Sequence, residues 1–222
     1  MARGVDFAAQ RARMVERQLR RRGISDERVL AAMGEVPRER FVPERERRRA
    51  YTDGALPIGH EQTISQPWIV AAICQALALQ GTESALEIGT GGGYSAAVLA
   101  RLVHEVLTVE RVEPLAHRAR GVLAELGVSN VEVVEGDGSA GVPGRGLFEA
   151  IAVHATAPGP PRGLLEQLSQ GGRLVAPISG DRADMLTLFR RAPEGSSDPD
   201  PFSSTVIAPA RFVPLIGSEG FS

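Results

Sequence analysis

Lysine is absent from the 222 residues, so all 25 basic side chains are arginine. A bias this uniform reflects genome composition rather than mechanism. Cysteine is nearly absent as well. The lone Cys74 excludes an intramolecular disulfide and a cysteine-rich metal site, and the apolar run around it reads as that of a buried structural thiol. No stretch approaches the roughly 18 apolar residues of a membrane span, and the opening MARGVDFAAQRARMV has no apolar core of signal-peptide length. The expected setting is therefore the cytoplasm. Charge of one sign is not in surplus either: 25 basic against 27 acidic residues leave a formal net charge of -2, which argues against nucleic acid or an anionic membrane as a partner. What is present, 43% hydrophobic and 23% charged residues, is the composition of an ordinary globular chain with room for one sizeable core. A monomer is the expected state.

The N-terminal third is helical and then irregular. Phe7, Met14, Val15 and Leu19 fall close to one helical face between Asp6 and Arg22, and Gly23 ends that helix. Ser25 or Asp26 can cap a second short helix through Val29, Leu30 and Met33, which Pro37 stops. The segment PRERFVPERERRRAYTDGALPIGHEQTISQP shows no sustained period and reads as a long irregular connection, with the charge run Glu44 to Arg49 as solvated surface. From Gln66 the pattern is regular, beginning with a helix to about Leu79 whose first turn suits Pro67. Strand candidates follow at Ala85 to Ile88, Val106 to Val109, Val131 to Val134, Ala150 to Val153 and Arg173 to Pro177. Between them lie helical patterns at Tyr94 to Leu102, Pro114 to Leu126 and Arg162 to Leu168. Strand and helix alternation predicts a parallel sheet covered on both faces, an α/β fold. Two further strands at Met185 to Phe189 and Ser204 to Phe212 are joined by RAPEGSSDPDPF, which reads as a solvent-facing loop. Residues 1–66 are expected to form helices and a substrate-side loop, and residues 67–222 the sheet domain, together one compact unit.

LEIGTGGGYSAA, Leu86 to Ala97, joins a strand, a glycine turn and a helix start, the elements of a nucleotide site. Two patterns overlap there. Gly91, Gly93 and Ala96 satisfy the dinucleotide fingerprint, whereas Glu87, Gly89, Gly91 and Gly93 satisfy an acidic-x-G-x-G-x-G pattern associated with S-adenosylmethionine. Three acidic strand ends bear on the choice. Glu87 would attract a methionine ammonium and repel a pyrophosphate, Glu110 can accept from ribose hydroxyls, and Asp137, in Gly136-Asp137-Gly138, is placed to read an adenine amino group.

MVERQLRRRGISDERVLAAMGEVPRERFVP, AYTDGALPIG, QTISQPWIVA, LEIGTGGGYSAAVLA, VERVEPLA, EGDGSAG, QLSQGGRLVAPI and RFVPLIG, in that order, resemble the protein-L-isoaspartate (D-aspartate) O-methyltransferase family from about Met14 to Gly217. The resemblance implies a doubly wound, mostly parallel seven-stranded Rossmann-like sheet with an N-terminal helical extension. It also implies S-adenosylmethionine as cofactor and isoaspartyl-containing proteins and peptides as substrates. By match to the family's motifs, Glu87, Gly89, Thr90, Gly91, Gly93, Glu110, Asp137 and Gly138 would hold the cofactor. Ser65 falls on the active-site serine, with Gln62, Thr63 and Ile64 beside it, and Phe212, Val213, Pro214 and Leu215 fall on the stretch that lies along the bound peptide. No metal is implied. Two departures stand out: Glu61 occupies a position where the family commonly has glycine, and His154 one where a small or hydroxylated residue is expected.

Methyl transfer from a sulfonium to a carboxylate needs alignment more than a base, because the nucleophile is already ionised at neutral pH. Ser65, read as the N-cap of the helix at Pro67, would hold one carboxylate oxygen while the other attacks. Glu61 must point away, pair with an arginine or mark a changed substrate. His60 and His154 read as structural, since no metal-ligand spacing surrounds either. The alternatives left open are an aspartyl methyltransferase for one dedicated peptide, an NAD-dependent oxidoreductase and a non-catalytic module that binds altered peptides.

Overall fold

The computed structural model describes residues 5–196 and 200–222. Helix α1, Phe7–Met14, continues through a π turn, Val15–Leu19, and a 3-10 turn, Arg20–Arg22, to Gly23 at φ 92°. The Asp6 carboxylate accepts from the Ala9 N–H at 2.9 Å and fixes its start. Asp26 caps α2, Glu27–Glu35, accepting from the N–H groups of Arg28 and Val29. The buried face of α2 carries Val29, Leu30, Ala32 and Met33, the spacing seen in the sequence.

The segment expected to be irregular is partly ordered into strands. It contains an antiparallel hairpin, β1 at Leu56–Gly59 and β2 at Gln62–Ile64. The sequence hides it because the strands are short and the turn uses His60 and Glu61, at φ 52° and 59°, instead of the glycine or asparagine that marks such a turn. The charge run is also not wholly solvated. Glu44–Arg49 forms a 3-10 helix that buries Glu46 between Arg45 and Arg49.

Helix α3, Pro67–Leu77, begins with proline at N1 and ends where Ala78 turns left-handed at φ 49°, two residues earlier than the pattern suggested. The seven-stranded sheet comprises β3 Ser84–Ile88, β4 Glu105–Glu110, β5 Val131–Glu135, β6 Phe148–Val153, β7 Leu168–Ile178, β8 Asp184–Arg191 and β9 Phe202–Ala210. Its spatial order is β5-β4-β3-β6-β7-β8-β9. The strands β5 to β7 of that order run parallel, whereas β8 pairs antiparallel with β7 and β9 antiparallel with β8. Of the loop between β8 and β9, residues 197–199 lie outside the described ones.

Alternation along the strands sends neighbours to opposite faces. Ala85, Val106, Ala150, Ala152 and Val175 pack with Met14, Phe41, Ile73 and Val98 in one apolar layer. That layer is roofed by α1 to α3, by α4 at Tyr94–Leu99 and by α5 at Glu113–Glu125. Leu86, Ile88, Leu107, Ile151 and Leu174 face the other way, where the cover is thinner: α6, Arg162–Glu166, and the C-terminal Leu215. The sequence implied cover on both faces; no helix forms between β5 and β6, where the sequence showed no helical pattern either. The chain order reverses between β3 and β6, so a crevice opens beyond their carboxyl ends, where ligands bind in such sheets.

Candidate active site

The glycine turn after β3 forms the floor of that crevice. Gly89 N–H donates to the Val109 carbonyl at 2.9 Å, and Gly93 N–H to the Thr90 carbonyl at 2.8 Å, closing the turn ahead of α4. Gly92 must lack a side chain, because a Cβ there would lie 2.5 Å from the Phe41 carbonyl oxygen. The N-terminal extension thus seats directly on the turn. Phe41 also meets Tyr94 edge-on, with ring centroids 5.6 Å apart.

Glu110, at the end of β4, is buried and accepts from Gly91 N–H through Oε2 at 2.7 Å and from Val112 N–H through Oε1 at 3.0 Å. Each oxygen keeps a lone pair for a further donor. Beneath the floor runs a buried polar chain. The Thr108 hydroxyl donates to Glu87 Oε2 at 2.6 Å, which leaves Thr90 as the donor in the 2.6 Å contact between the two threonines. On the other side His154 Nε2 lies 2.7 Å from Ser95 Oγ and 3.3 Å from Glu87 Oε1. The latter contact has ion-pair distance without hydrogen-bond alignment, and Oε1 has no other partner.

The cleft above has a volume of about 310 Å³. Gly89, Thr90, Gly91, Glu110 and Gly138 line it, together with Gln62, Thr63, Ile64, Ser65, Val213, Pro214 and Leu215. A second cavity of about 530 Å³ adjoins it, walled by Arg22, Asp53, Trp68, Arg211 and Phe212. Thr63, Ser65, His154 and Val213 line both. The C-terminal wall is pinned: Thr156 N–H donates to the Val213 carbonyl and Leu215 N–H to the Thr156 carbonyl, each at 2.8 Å.

Four sequence-derived placements differ from what is found. Ser65 is not the N-cap of α3; Gln66 is, without a side-chain bond, and the Ser65 carbonyl instead accepts from Arg38 Nη2 at 2.7 Å. Glu87 has no solvent exposure and does not line the cleft, because strand parity turns it inward with Ala85 onto the helix-covered face. Asp137 is also absent from the lining. Its Oδ1 accepts from Ser139 N–H and its Oδ2 from Ser218 N–H, each at 2.8 Å, so it clamps the C-terminal segment. Burial works against its charge, but the N–H groups of Ser218 and Ser139 and their hydroxyls prevail and hold the carboxyl at about 2. Gly93 serves packing, its missing Cβ leaving room for Ala119.

Glu61 is exposed at the cleft mouth and has no arginine partner among the described residues. Several neighbours carried no sequence signal, among them Arg38, Tyr94, Ser95 and the Arg22–Asp53 pair at 3.0 Å. Among the described residues no cluster of metal-ligating side chains occurs, and no helix is long and apolar enough to cross a membrane.

The residues present suit S-adenosylmethionine. Glu110 keeps acceptor capacity for ribose hydroxyls, and the Glu87 oxygen without a hydrogen bond is an orphaned acceptor behind the cleft-lining His154. A glycine-floored cleft of this kind, at the switch point of a seven-stranded sheet, defines a Rossmann-like S-adenosylmethionine-dependent methyltransferase.

The protein-L-isoaspartate(D-aspartate) O-methyltransferase family profile matches residues 9–220. Protein-L-isoaspartate O-methyltransferase 1 of Rhodopseudomonas palustris is 52% identical over 97% of this chain and 86% of its own length. A solved protein-L-isoaspartate O-methyltransferase superposes with a TM-score of 0.80 at 29% identity, covering 95% of this chain and 67% of its own. An enzyme of Plasmodium falciparum assigned as a beta-aspartate methyltransferase, in complex with S-adenosyl-L-homocysteine, shares the fold at a TM-score of 0.78. It is 24% identical and covers 93% of this chain and 98% of its own. The chain belongs to the protein-L-isoaspartate (D-aspartate) O-methyltransferase family and is an S-adenosylmethionine-dependent carboxyl O-methyltransferase.

Proposed function

We propose that the acceptor is the abnormal carboxylate of L-isoaspartyl residues in damaged proteins and peptides, with D-aspartyl residues as a second acceptor class. The observation that carries this reading is the shared wall of the two cavities, where Ser65 stands between a cofactor-sized cleft and a wider opening fit for a peptide. S-adenosylmethionine supplies an electrophilic methyl carbon on a sulfonium.

The chain's part is positioning. The Ser65 hydroxyl has no hydrogen-bond partner among the described residues, and it donates to one oxygen of the acceptor carboxylate so that the other attacks. Its backbone is held by the buried Arg38. Gln62, Thr63 and Ile64 on β2 form one side of the acceptor path, and Phe212 to Leu215 the other. Glu110, Gly89, Thr90, Gly91 and Gly138 hold the cofactor, and Glu87, Gly93 and Asp137 support them from beneath or beside the cleft. Such alignment contributes up to roughly 7–11 kcal/mol to lowering the barrier. No general base is needed.

Incubation with methyl-labelled S-adenosylmethionine and an isoaspartyl peptide is expected to yield a base-labile methyl ester, with the matching normal aspartyl peptide unlabelled. No ester on the isoaspartyl peptide contradicts the assignment. A single dedicated peptide acceptor is the second reading, favoured by the Glu61 carboxylate at the cleft mouth. Its mark is esterification of that peptide with indifference to isoaspartyl peptides of unrelated sequence.

A further inference from the structure

Between the cleft and the fully buried Glu87 carboxyl stands an imidazole that the family pattern does not call for. His154 follows β6, the strand next to β3 at the switch point, and its ring is 6% exposed. Glu87, whose sequence position suggested an ammonium contact, is sealed behind it. Among the described residues, His154 is the one side chain able to carry positive charge within 4.0 Å of Glu87.

The contacts of Nε2 choose the ring's tautomer. A lone pair on Nε2 would face the Glu87 Oε1 lone pairs at 3.3 Å, and that oxygen has no other hydrogen-bond partner. A proton on Nε2 meets both Ser95 Oγ at 2.7 Å and the Glu87 charge. In the neutral ring Nδ1 then carries the lone pair. Nδ1 makes no hydrogen bond within the protein among the described residues, yet it is not sealed off, and the residue lines the cleft.

We infer that His154, backed by Glu87, is a cofactor-binding residue whose Nδ1 accepts a hydrogen bond from the ammonium of the methionine moiety. Along the sheet edge from β5 through β4 and β3 to β6, the groups at the strand ends are Gly138, Glu110, the Gly89–Gly91 turn and His154. An adenosine beside the first two sets the amino-acid end beside the last. The ammonium charge and the Glu87 carboxylate then balance each other across a neutral ring.

The test is calorimetric binding of S-adenosylhomocysteine and of its analogue lacking the amino group, to wild type, His154→Ala and His154→Asn. His154→Ala is expected to weaken S-adenosylhomocysteine about 10- to 100-fold, the scale of a hydrogen bond to a charged group, while changing the analogue by less than about threefold. His154→Asn, which keeps a polar atom near Nδ1, is expected to recover part of the loss. Glu87→Gln, presenting an amide donor to Nε2, is expected to move the proton to Nδ1 and reproduce the selective loss. Equal weakening of both ligands overturns the inference, as does unchanged S-adenosylhomocysteine affinity with a raised KM for peptide. Independently of any variant, nitrogen NMR of the wild-type imidazoles with S-adenosylhomocysteine bound is expected to find Nδ1 of His154 unprotonated. A protonated Nδ1 overturns the inference.

Discussion

Arg38 Nη2 donates to the Ser65 carbonyl oxygen across 2.7 Å from a side chain with no solvent exposure. Its Nε donates to the Ala50 carbonyl at 2.7 Å, and its guanidinium lies 4.8 Å from the Tyr94 ring centroid. Burial pulls its pKa down to about 10, opposed by Tyr94 and Tyr51, so it stays charged at neutral pH. Arg38→Met leaves one buried and one partly buried carbonyl without a donor, at about 1–3 kcal/mol each. We expect a stability loss of about 3 kcal/mol by urea denaturation, with a raised peptide KM in the folded fraction. A loss below about 1 kcal/mol contradicts this account of the tether.

Ser65 is assigned to the acceptor, not the cofactor. Ser65→Ala is expected to lower kcat about 10- to 100-fold, the scale of one well-placed donor to a charged group, while calorimetric affinity for S-adenosylhomocysteine moves by less than about twofold. Parallel losses in both quantities would assign the hydroxyl to the cofactor instead.

Glu61 combines an unfavourable backbone with an unfavourable charge. Its φ of 59° suits glycine, and the left-handed region costs a side-chain-bearing residue roughly 1 kcal/mol. Its carboxylate also repels an incoming acceptor carboxylate by about 1 kcal/mol at close range in high dielectric. Glu61→Gly is therefore expected to raise the unfolding free energy by about 0.5–1 kcal/mol and to lower the KM for an isoaspartyl peptide. A higher KM would instead make Glu61 a substrate contact.

Asp137 ties acid stability to the C-terminal segment. Its carboxyl sits at about 2 against an ordinary 3.8, so its contribution is full above the ordinary value and disappears as pH falls through about 2. The stability gap between wild type and Asp137→Asn is expected to be widest above about pH 4 and to close toward pH 2. Urea midpoints across that range measure it. A gap independent of pH would show that the ionised carboxylate is not what holds Ser218.

Much of the architecture was legible because its signals are local. The cap at Asp26, one of the two the sequence offered, the break at Gly23 and the proline at the start of α3 act over a few residues, and each is found where the sequence put it. The β1–β2 hairpin was not legible, since a turn built from His60 and Glu61 carries no turn chemistry. The site was legible unevenly for the same reason. Gly89, Gly91 and Ser65 could be picked out as chain motifs, whereas the roles of Glu87 and Asp137 depended on which way a side chain faces and which distant N–H groups meet it.

Amino-acid order alone determined the strand–helix alternation, the glycine turn and the family pattern, because periodicity and backbone preference are properties of neighbouring residues. Only tertiary packing decided that Glu87 turns inward, that His154 stands between it and the cleft, and that Arg22, Trp68 and Arg211 wall a second cavity. Those outcomes depend on contacts between segments far apart in the chain, whose meeting is set by how the sheet and its covering helices exclude water.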